Sequence, residues 1–239
     1  MRISVVIPAL DEADRIEETI AMVQSRSNPE HLHEIIVVDG GSKDATIEIC
    51  EALGIQVLHS TVARRSIQMN VGAEGATGEV LYFLHADCHP PENFSETIVS
   101  ALKSGNCFGC YRRKVGSSNA LKWIGGFSRF HGVIFRGGDA SLFVRKNIFD
   151  AIGGFKDEMI VMEDFEILRR LRRKGNFKLL PDFVESSDRK YLDNPKSWRI
   201  HLAHALVMGM YQTGFSQQLM VKTYQRMVKG VRGVSREQD

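Results

Sequence analysis

Three nearly unbroken apolar runs constrain this 239-residue chain more than any other feature: Ile3-Ser4-Val5-Val6-Ile7, Ile35-Ile36-Val37-Val38 and Val80-Leu81-Tyr82-Phe83-Leu84. A strand with one face in water alternates apolar and polar residues, whereas a strand covered on both faces does not. Runs of this kind predict a sheet with helices on both sides. The intervening segments supply those helices. One spans about 12–25, opened by Asp11 and Glu12, with Ile16, Ile20 and Val23 on one face. A second spans about 43–53 behind the turn Asp39-Gly40-Gly41-Ser42, where Ser42 is placed to cap it. A third covers about 65–76, after a short strand over Ile55–Leu58. Strand and helix alternate four times with short joints, which specifies an α/β chain with a mostly parallel, doubly wound sheet.

Beyond about residue 105 the alternation is less regular. Strands are expected over Phe108–Val115, Ala140–Val144 and Phe177–Leu180, and helices over Ala120–Phe130, after Lys146-Asn147 and over Glu163–Lys174. From Pro195 to about residue 230 the pattern is helical and amphipathic. This length suits one domain with a terminal appendage, and 43% hydrophobic residues suffice for a large core. No stretch of 18 consecutive apolar residues occurs, so no membrane-spanning helix is expected.

Acids punctuate the ends of the apolar runs. Asp39 closes the second, and Asp87 follows the third through His85-Ala86; Asp139 and the pair Glu163-Asp164 come later. Acids at the carboxyl ends of successive parallel strands converge on the edge where open α/β sheets bind ligands. Neither G-x-G-x-x-G nor G-x-x-x-x-G-K-[ST] is present, so a dinucleotide fold and a P-loop are both unsupported. A chain of this class needs another way to hold a diphosphate, and a divalent cation can replace the missing backbone cradle.

Four segments occur in a telling order: Ile7-Pro8-Ala9-Leu10-Asp11-Glu12, Val38-Asp39-Gly40-Gly41-Ser42-Lys43-Asp44-Ala45-Thr46, His85-Ala86-Asp87 and Met162-Glu163-Asp164. Together they resemble family 2 glycosyltransferases over about residues 1–185. The likeness is to a subset with Arg65 and Gln68-Met69-Asn70 between the second and third motifs. Gly138-Asp139 and Gly153-Gly154-Phe155 add to it. The resemblance implies the GT-A nucleotide-diphosphosugar transferase fold with a C-terminal helical extension. It divides the chain into a domain over 1–195, with a nucleotide-binding half (1–105) and an acceptor half (106–195), and a basic tail over 196–239.

By that resemblance Pro8, Ala9 and Glu12 line the base and ribose, and Asp39 accepts a hydrogen bond from the base. A carboxylate there favours uracil or guanine, whose ring N–H it can accept. His85-Ala86-Asp87 stands where the family has Asp-x-Asp, with His in place of the first acid. Asp87 is then the metal ligand for Mn²⁺ or Mg²⁺, and His85 touches sugar or phosphate, completes a Mn²⁺ shell, or only ends the strand. Arg65 is expected at phosphate or sugar hydroxyls, and Asp139 near the sugar or acceptor. Asp164 takes the proton of the acceptor hydroxyl in an inverting transfer, with Glu163 orienting the acceptor or backbone. Bland accounts stand beside these: acids favour a helix N-terminus, and Asp39 can simply shape a turn. The run Arg169-Arg170-x-Arg172-Arg173-Lys174 reads as a solvated helix face.

Charge is unevenly placed. Residues 196–239 hold seven Lys/Arg against two acids, a net +5, which leaves −3 on the remainder of a chain whose net charge is +2. Such a body suits a metal-bound anionic ligand better than nucleic acid, which is not expected as a partner. The tail mixes cations with Trp198, Leu202, Leu206, Phe215 and Leu219, a composition for peripheral contact with anionic membrane; packing on the domain or in a homodimer is the other account. Met1-Arg2 leads straight into the first apolar run, and Cys50, Cys88, Cys107 and Cys110 read as buried thiols rather than a zinc or disulfide framework. The expected setting is cytoplasmic, at the inner face of a membrane when peripheral. Two other functions remain open. A nucleotidyltransferase of related fold lacks support, because no glycine-rich, arginine-bearing loop follows Ile7. A degenerate sugar-nucleotide-binding scaffold is motivated by His85 and Asp11.

Overall fold

The computed structural model describes residues 1–115, 141–186 and 198–229. The expected helix over Ala120–Phe130 and the candidate Asp139 lie outside these residues. The first half is the predicted α/β alternation. Strands β1 (Ile3–Ala9), β2 (Leu32–Asp39), β3 (Gln56–His59) and β4 (Val80–Leu84) are joined through helices α1 (Ile16–Ser25), α2 (Thr46–Ala52) and α3 (Arg65–Gly75). All pairings among these four strands are parallel, with β1 between β2 and β4, and β3 outside β2.

The second half turns the sheet mixed. Short β5 (Cys88–His89) and α4 (Phe94–Lys103) precede β6 (Phe108–Val115), β7 (Ser141–Arg145), α5 (Lys146–Ala151), α6 (Glu163–Leu171) and β8 (Phe177–Ser186). Among the described residues the sheet has eight strands in the order β3-β2-β1-β4-β7-β6-β8-β5. β7 runs antiparallel to both β4 and β6, while β8 is parallel to β6. A five-residue apolar run carries no mark of its direction, so this reversal is a finding of the structure.

Period-2 alternation explains why the runs are apolar throughout. In β1, Ile3, Val5 and Ile7 join one core with Ile16, Ile20 and Val23 of α1 and Phe94, Ile98 and Leu102 of α4. Val6, on the other face, joins a second core with Met69 and Ala73 of α3, Phe149 of α5 and Ile167 and Leu171 of α6. β2 divides likewise, Ile35 and Val37 against Ile36 and Val38, and so does β4, Tyr82 and Leu84 against Leu81 and Phe83. Each fully buried side chain of this size contributes about 1.5–3 kcal/mol, so a polar residue in any run would weaken one of the two layers.

Two helices start later than expected. α1 opens at Ile16 rather than 12, because Asp11 adopts a left-handed backbone (φ 53°) and the next residues form a turn. α2 opens at Thr46, where Asp44 Oδ1 accepts the Thr46 N–H at 3.0 Å. β1 also runs through Pro8, which pairs with Val38, to Ala9 opposite Asp39.

The tail is two helices, α7 (Trp198–Gln212) and α8 (Gln217–Val228), separated by Gly214 at φ 81°. Their facing residues Ile200, Ala203, Val207, Met220, Tyr224 and Val228 form a third apolar cluster, against which Val161 and Met162 pack. Contact with the domain, one of the accounts open for the tail, is therefore present, alongside an exposed face described below.

Candidate active site

The carboxyl ends of β1, β2 and β3 lie in one row, Ala9 opposite Asp39 and Asp39 opposite His59. β4 ends beside them and delivers His85 and Asp87 to the same edge. Two loops over this edge are tied to each other. Ser42 Oγ accepts the Asp11 N–H at 3.0 Å, Asp11 Oδ1 accepts the Lys43 N–H at 2.7 Å, and Thr46 Oγ1 accepts the Glu12 N–H at 2.9 Å. Asp44 Oδ2 accepts the Ala13 N–H at 3.0 Å. Burial opposes ionisation of Asp44, yet its hydrogen bonds from Thr46 Oγ1, Ala13 N–H and Thr46 N–H hold the carboxyl below its ordinary value. Ser42 thus joins the two loops instead of capping α2, and Asp11 and Asp44 have structural work that spacing alone did not reveal.

Asp39 is buried, 2% exposed. Its Oδ2 accepts the Gly41 N–H at 2.8 Å and its Oδ1 the Ser42 N–H at 3.1 Å, with His59 Nδ1 3.9 Å from Oδ2. The turn-shaping role is therefore present; each carboxylate oxygen keeps capacity for another donor. Behind it, buried Gln68 donates to Ala9 O and Val38 O, both at 2.9 Å, and locks the ends of β1 and β2. The sequence marks Gln68 only as part of a motif, and its function in the edge appears with the fold. Ala9 is buried, while Pro8 and Glu12 are partly accessible.

The ligand atoms of His85, Asp87 and Cys88 lie within 4.8 Å of one another. Cys88 Sγ donates to Asp87 Oδ1 at 3.3 Å. Burial and then the Asp87 charge push the Cys88 thiol well up, and its soft sulfur is a poor match for an oxygen-seeking Mn²⁺ or Mg²⁺. An imidazole nitrogen and a carboxylate remain. That pair fits an ion that completes its shell with substrate oxygens and water, and does not fit a structural zinc with four protein ligands. All four cysteines are free thiols, with Cys107 half-buried and the others buried.

Arg65 stands at the same edge and is paired there with an acid of a distant helix. As the first residue of α3 it sits just past the carboxyl end of β3, and its Nη1 lies 3.5 Å from Glu163 Oε1. This brings the start of α6, with buried Glu163 and Asp164, to the same edge as Asp39 and His85. Both acids occupy the first helical turn, where the macrodipole favours their ionised form. Arg64, just before α3, and the rest of that helix hold the approach to α6. Arg64 Nη1 donates to Asp157 O at 2.7 Å, Ser66 Oγ to Met159 O at 3.0 Å, and Asn70 Nδ2 to Phe155 O at 2.8 Å, while Asn70 Oδ1 accepts the Phe155 N–H. Gln217 at the start of α8 adds two bonds, its Oε1 accepting the Ile160 and Val161 N–H groups at 3.0 Å. Met162 then adopts φ 65°, an unfavourable conformation for its side chain that these neighbours maintain.

Comparison with known proteins agrees with the layout. The model of glycosyl transferase family 2 matches residues 4–156. The chain belongs to this family. Glycosyltransferase AglE of Haloferax volcanii is 26% identical over 188 residues, 72% of this chain and 62% of the relative. Dolichol-phosphate mannosyltransferase of Pyrococcus furiosus is 29% identical over 129 residues, 52% of this chain and 36% of the relative. The matched stretches thus span less than two thirds of these relatives. Among solved structures, mannosyltransferase PcManGT from Pyrobaculum calidifontis, in complex with GDP-Man and Mn²⁺, superposes with a TM-score of 0.68 at 20% identity, over 96% of this chain and 70% of that one. The fold of this family 2 chain is the GT-A fold, with C-terminal helices added to it.

Proposed function

We propose that the chain transfers a sugar from a nucleoside-diphosphate sugar, of the uridine or guanosine type, to an acceptor hydroxyl with inversion at the anomeric carbon. The observation that carries this reading is the meeting, at one sheet edge, of Asp39, His85 and Asp87 from the donor half with Glu163-Asp164 of α6. Pro8, Ala9 and Glu12 border the base and ribose, and an Asp39 oxygen accepts the base N–H. His85 and Asp87 hold Mn²⁺ or Mg²⁺, which offsets diphosphate charge when bound. Asp139 is assigned to the sugar or acceptor on the resemblance alone.

Asp164 accepts the proton of the acceptor hydroxyl as that oxygen bonds to the anomeric carbon. The bond from that carbon to the diphosphate breaks, and its electron pair leaves with the nucleoside diphosphate. The proton passes from Asp164 to solvent afterwards. Glu163, paired with Arg65, fixes the start of α6 so that Asp164 keeps its place. A cytoplasmic protein held peripherally at the inner face of a membrane suits this chemistry, since one relative carries a lipid phosphate in its name.

Asp164→Asn tests the assignment. Donor affinity should remain near that of the parent while transfer falls by roughly two to four orders of magnitude, the usual loss of general-base help. Transfer at the parent rate removes Asp164 from the role.

A further inference from the structure

The C-terminal hairpin buries one side and leaves an apolar ridge on the other. Trp198, Leu202 and Leu206 recur every fourth residue along α7 and are 61%, 49% and 44% exposed. Four-residue spacing puts them on one face, opposite Ile200, Ala203 and Val207, which pack into the hairpin's own cluster. Phe215 in the turn and Leu219 in α8 continue the exposure at 49% and 43%. An apolar surface of this extent on a helix pair signals a docking face rather than a solvated one.

Charge decides what fits it. Residues 198–229 contain Arg199, Lys222, Arg226 and Lys229 and no acid. Lys222 and Arg226 on α8 and Lys229 just after it are exposed. A second copy would bring cations against cations, whereas an anionic lipid surface offers attraction of about 1 kcal/mol per well-placed Lys or Arg beside a layer that takes up the ridge.

The hairpin also touches the approach to the candidate base. Gln217 holds the Ile160 and Val161 backbone, and Val161 and Met162 pack against the hairpin cluster, immediately before Glu163-Asp164. We infer that the ridge Trp198–Leu202–Leu206–Phe215–Leu219 docks the protein on an anionic lipid surface, and that the acceptor reaching Asp164 is an amphiphile held there. The first part stands on the hairpin alone, and the second rests on the transferase reading above.

Co-sedimentation of the full chain with phosphatidylcholine vesicles, with and without phosphatidylglycerol, tests the docking without any donor. The chain should bind the phosphatidylglycerol vesicles at low salt and leave them at high salt, where the Debye length is only a few ångströms. Leu202→Ser with Leu206→Ser should weaken this binding by about tenfold or more, in proportion to the apolar area lost, at an unchanged Tm. If that pair lowers Tm, Lys222→Gln with Arg226→Gln on the exposed face of α8 carries the same expectation. No binding to either vesicle, equal binding to both, or a dimer that the leucine pair dissolves, overturns the inference. Failure of Asp164→Asn to slow transfer would leave vesicle binding untouched, so the two readings fail separately.

Discussion

The donor edge and the C-terminal hairpin stabilise themselves in opposite ways. At the edge, strands buried on both faces end in loops whose polar groups satisfy each other: Asp11 with Ser42 and Lys43, Asp44 with Ala13 and Thr46, Gln68 with Ala9 and Val38. In the hairpin a single apolar cluster holds two helices, and Leu, Trp, Phe and cations are left outward among other exposed residues. The first arrangement fixes a geometry before a ligand arrives. The second supplies surface area and charge. A molecule built this way places precision at the proposed nucleotide edge and adaptability at the proposed docking face.

The largest effect on that contrast should come from the close packing beneath the edge. α3 approaches β1 so closely at Gly72 that an added Cβ would meet Val6 Cγ1 at 2.3 Å and Val38 Cγ2 at 3.0 Å. Gly72→Ala should therefore cost about 1–3 kcal/mol despite the better helix propensity of alanine, read as a lower Tm and loosened loops at the edge. An unchanged Tm would mean that the layer under the donor edge is no tighter than the hairpin. The outward leucines of the hairpin, by contrast, should tolerate serine without loss of stability.

A smaller effect concerns pH. The Asp44 carboxyl is held below its ordinary value of about 3.8, so it contributes stability that is present above that pH and is lost as pH falls through the lower folded value. The Ala13 and Thr46 amide proton shifts should be flat at neutral pH and move below about pH 4. Asp44→Asn should abolish that movement. A flat profile in the parent down to the onset of unfolding would show that Asp44 does not join the loops.

Sequence reading succeeded where burial alone decides the pattern. β4 has the expected bounds, Val80–Leu84, because a strand between two cores is written as an apolar run, and β6 keeps its expected bounds, Phe108–Val115, although its second half is cationic. It failed where distant groups compete for the same backbone. The acids and hydroxyls that signal helix starts at 12 and 43 are engaged between loops, which delays α1 to Ile16 and α2 to Thr46. Arg170, read as part of a solvated face, forks onto buried Glu166 and reaches Ile152 O at 2.8 Å; the i,i+4 spacing was visible, but the burial of its partner was not. The tail read as one helical stretch is broken at Gly214, a residue that could have marked the break.

At the site, the motifs brought Asp39, His85, Asp87, Glu163 and Asp164 to attention. The Arg65–Glu163 pair was not legible, because it joins segments nearly a hundred positions apart that only the sheet brings together. Nor was the work of Asn70, Ser66 and Gln217 in holding the segment before Asp164.

The central claim is that a nucleoside-diphosphate sugar binds at this edge with a divalent ion on Asp87. Thermal shift of the parent and of Asp87→Ala, with uridine and guanosine diphosphates and their sugars, each with and without Mn²⁺, tests it most directly. A ligand at about 100 times its Kd stabilises the folded state by about 2.7 kcal/mol. For a chain of this size that is a rise of several degrees. One nucleotide series should produce that rise in the parent only when Mn²⁺ is present, and Asp87→Ala should lose it. No shift with any nucleotide, or the same shift in Asp87→Ala, would contradict the account.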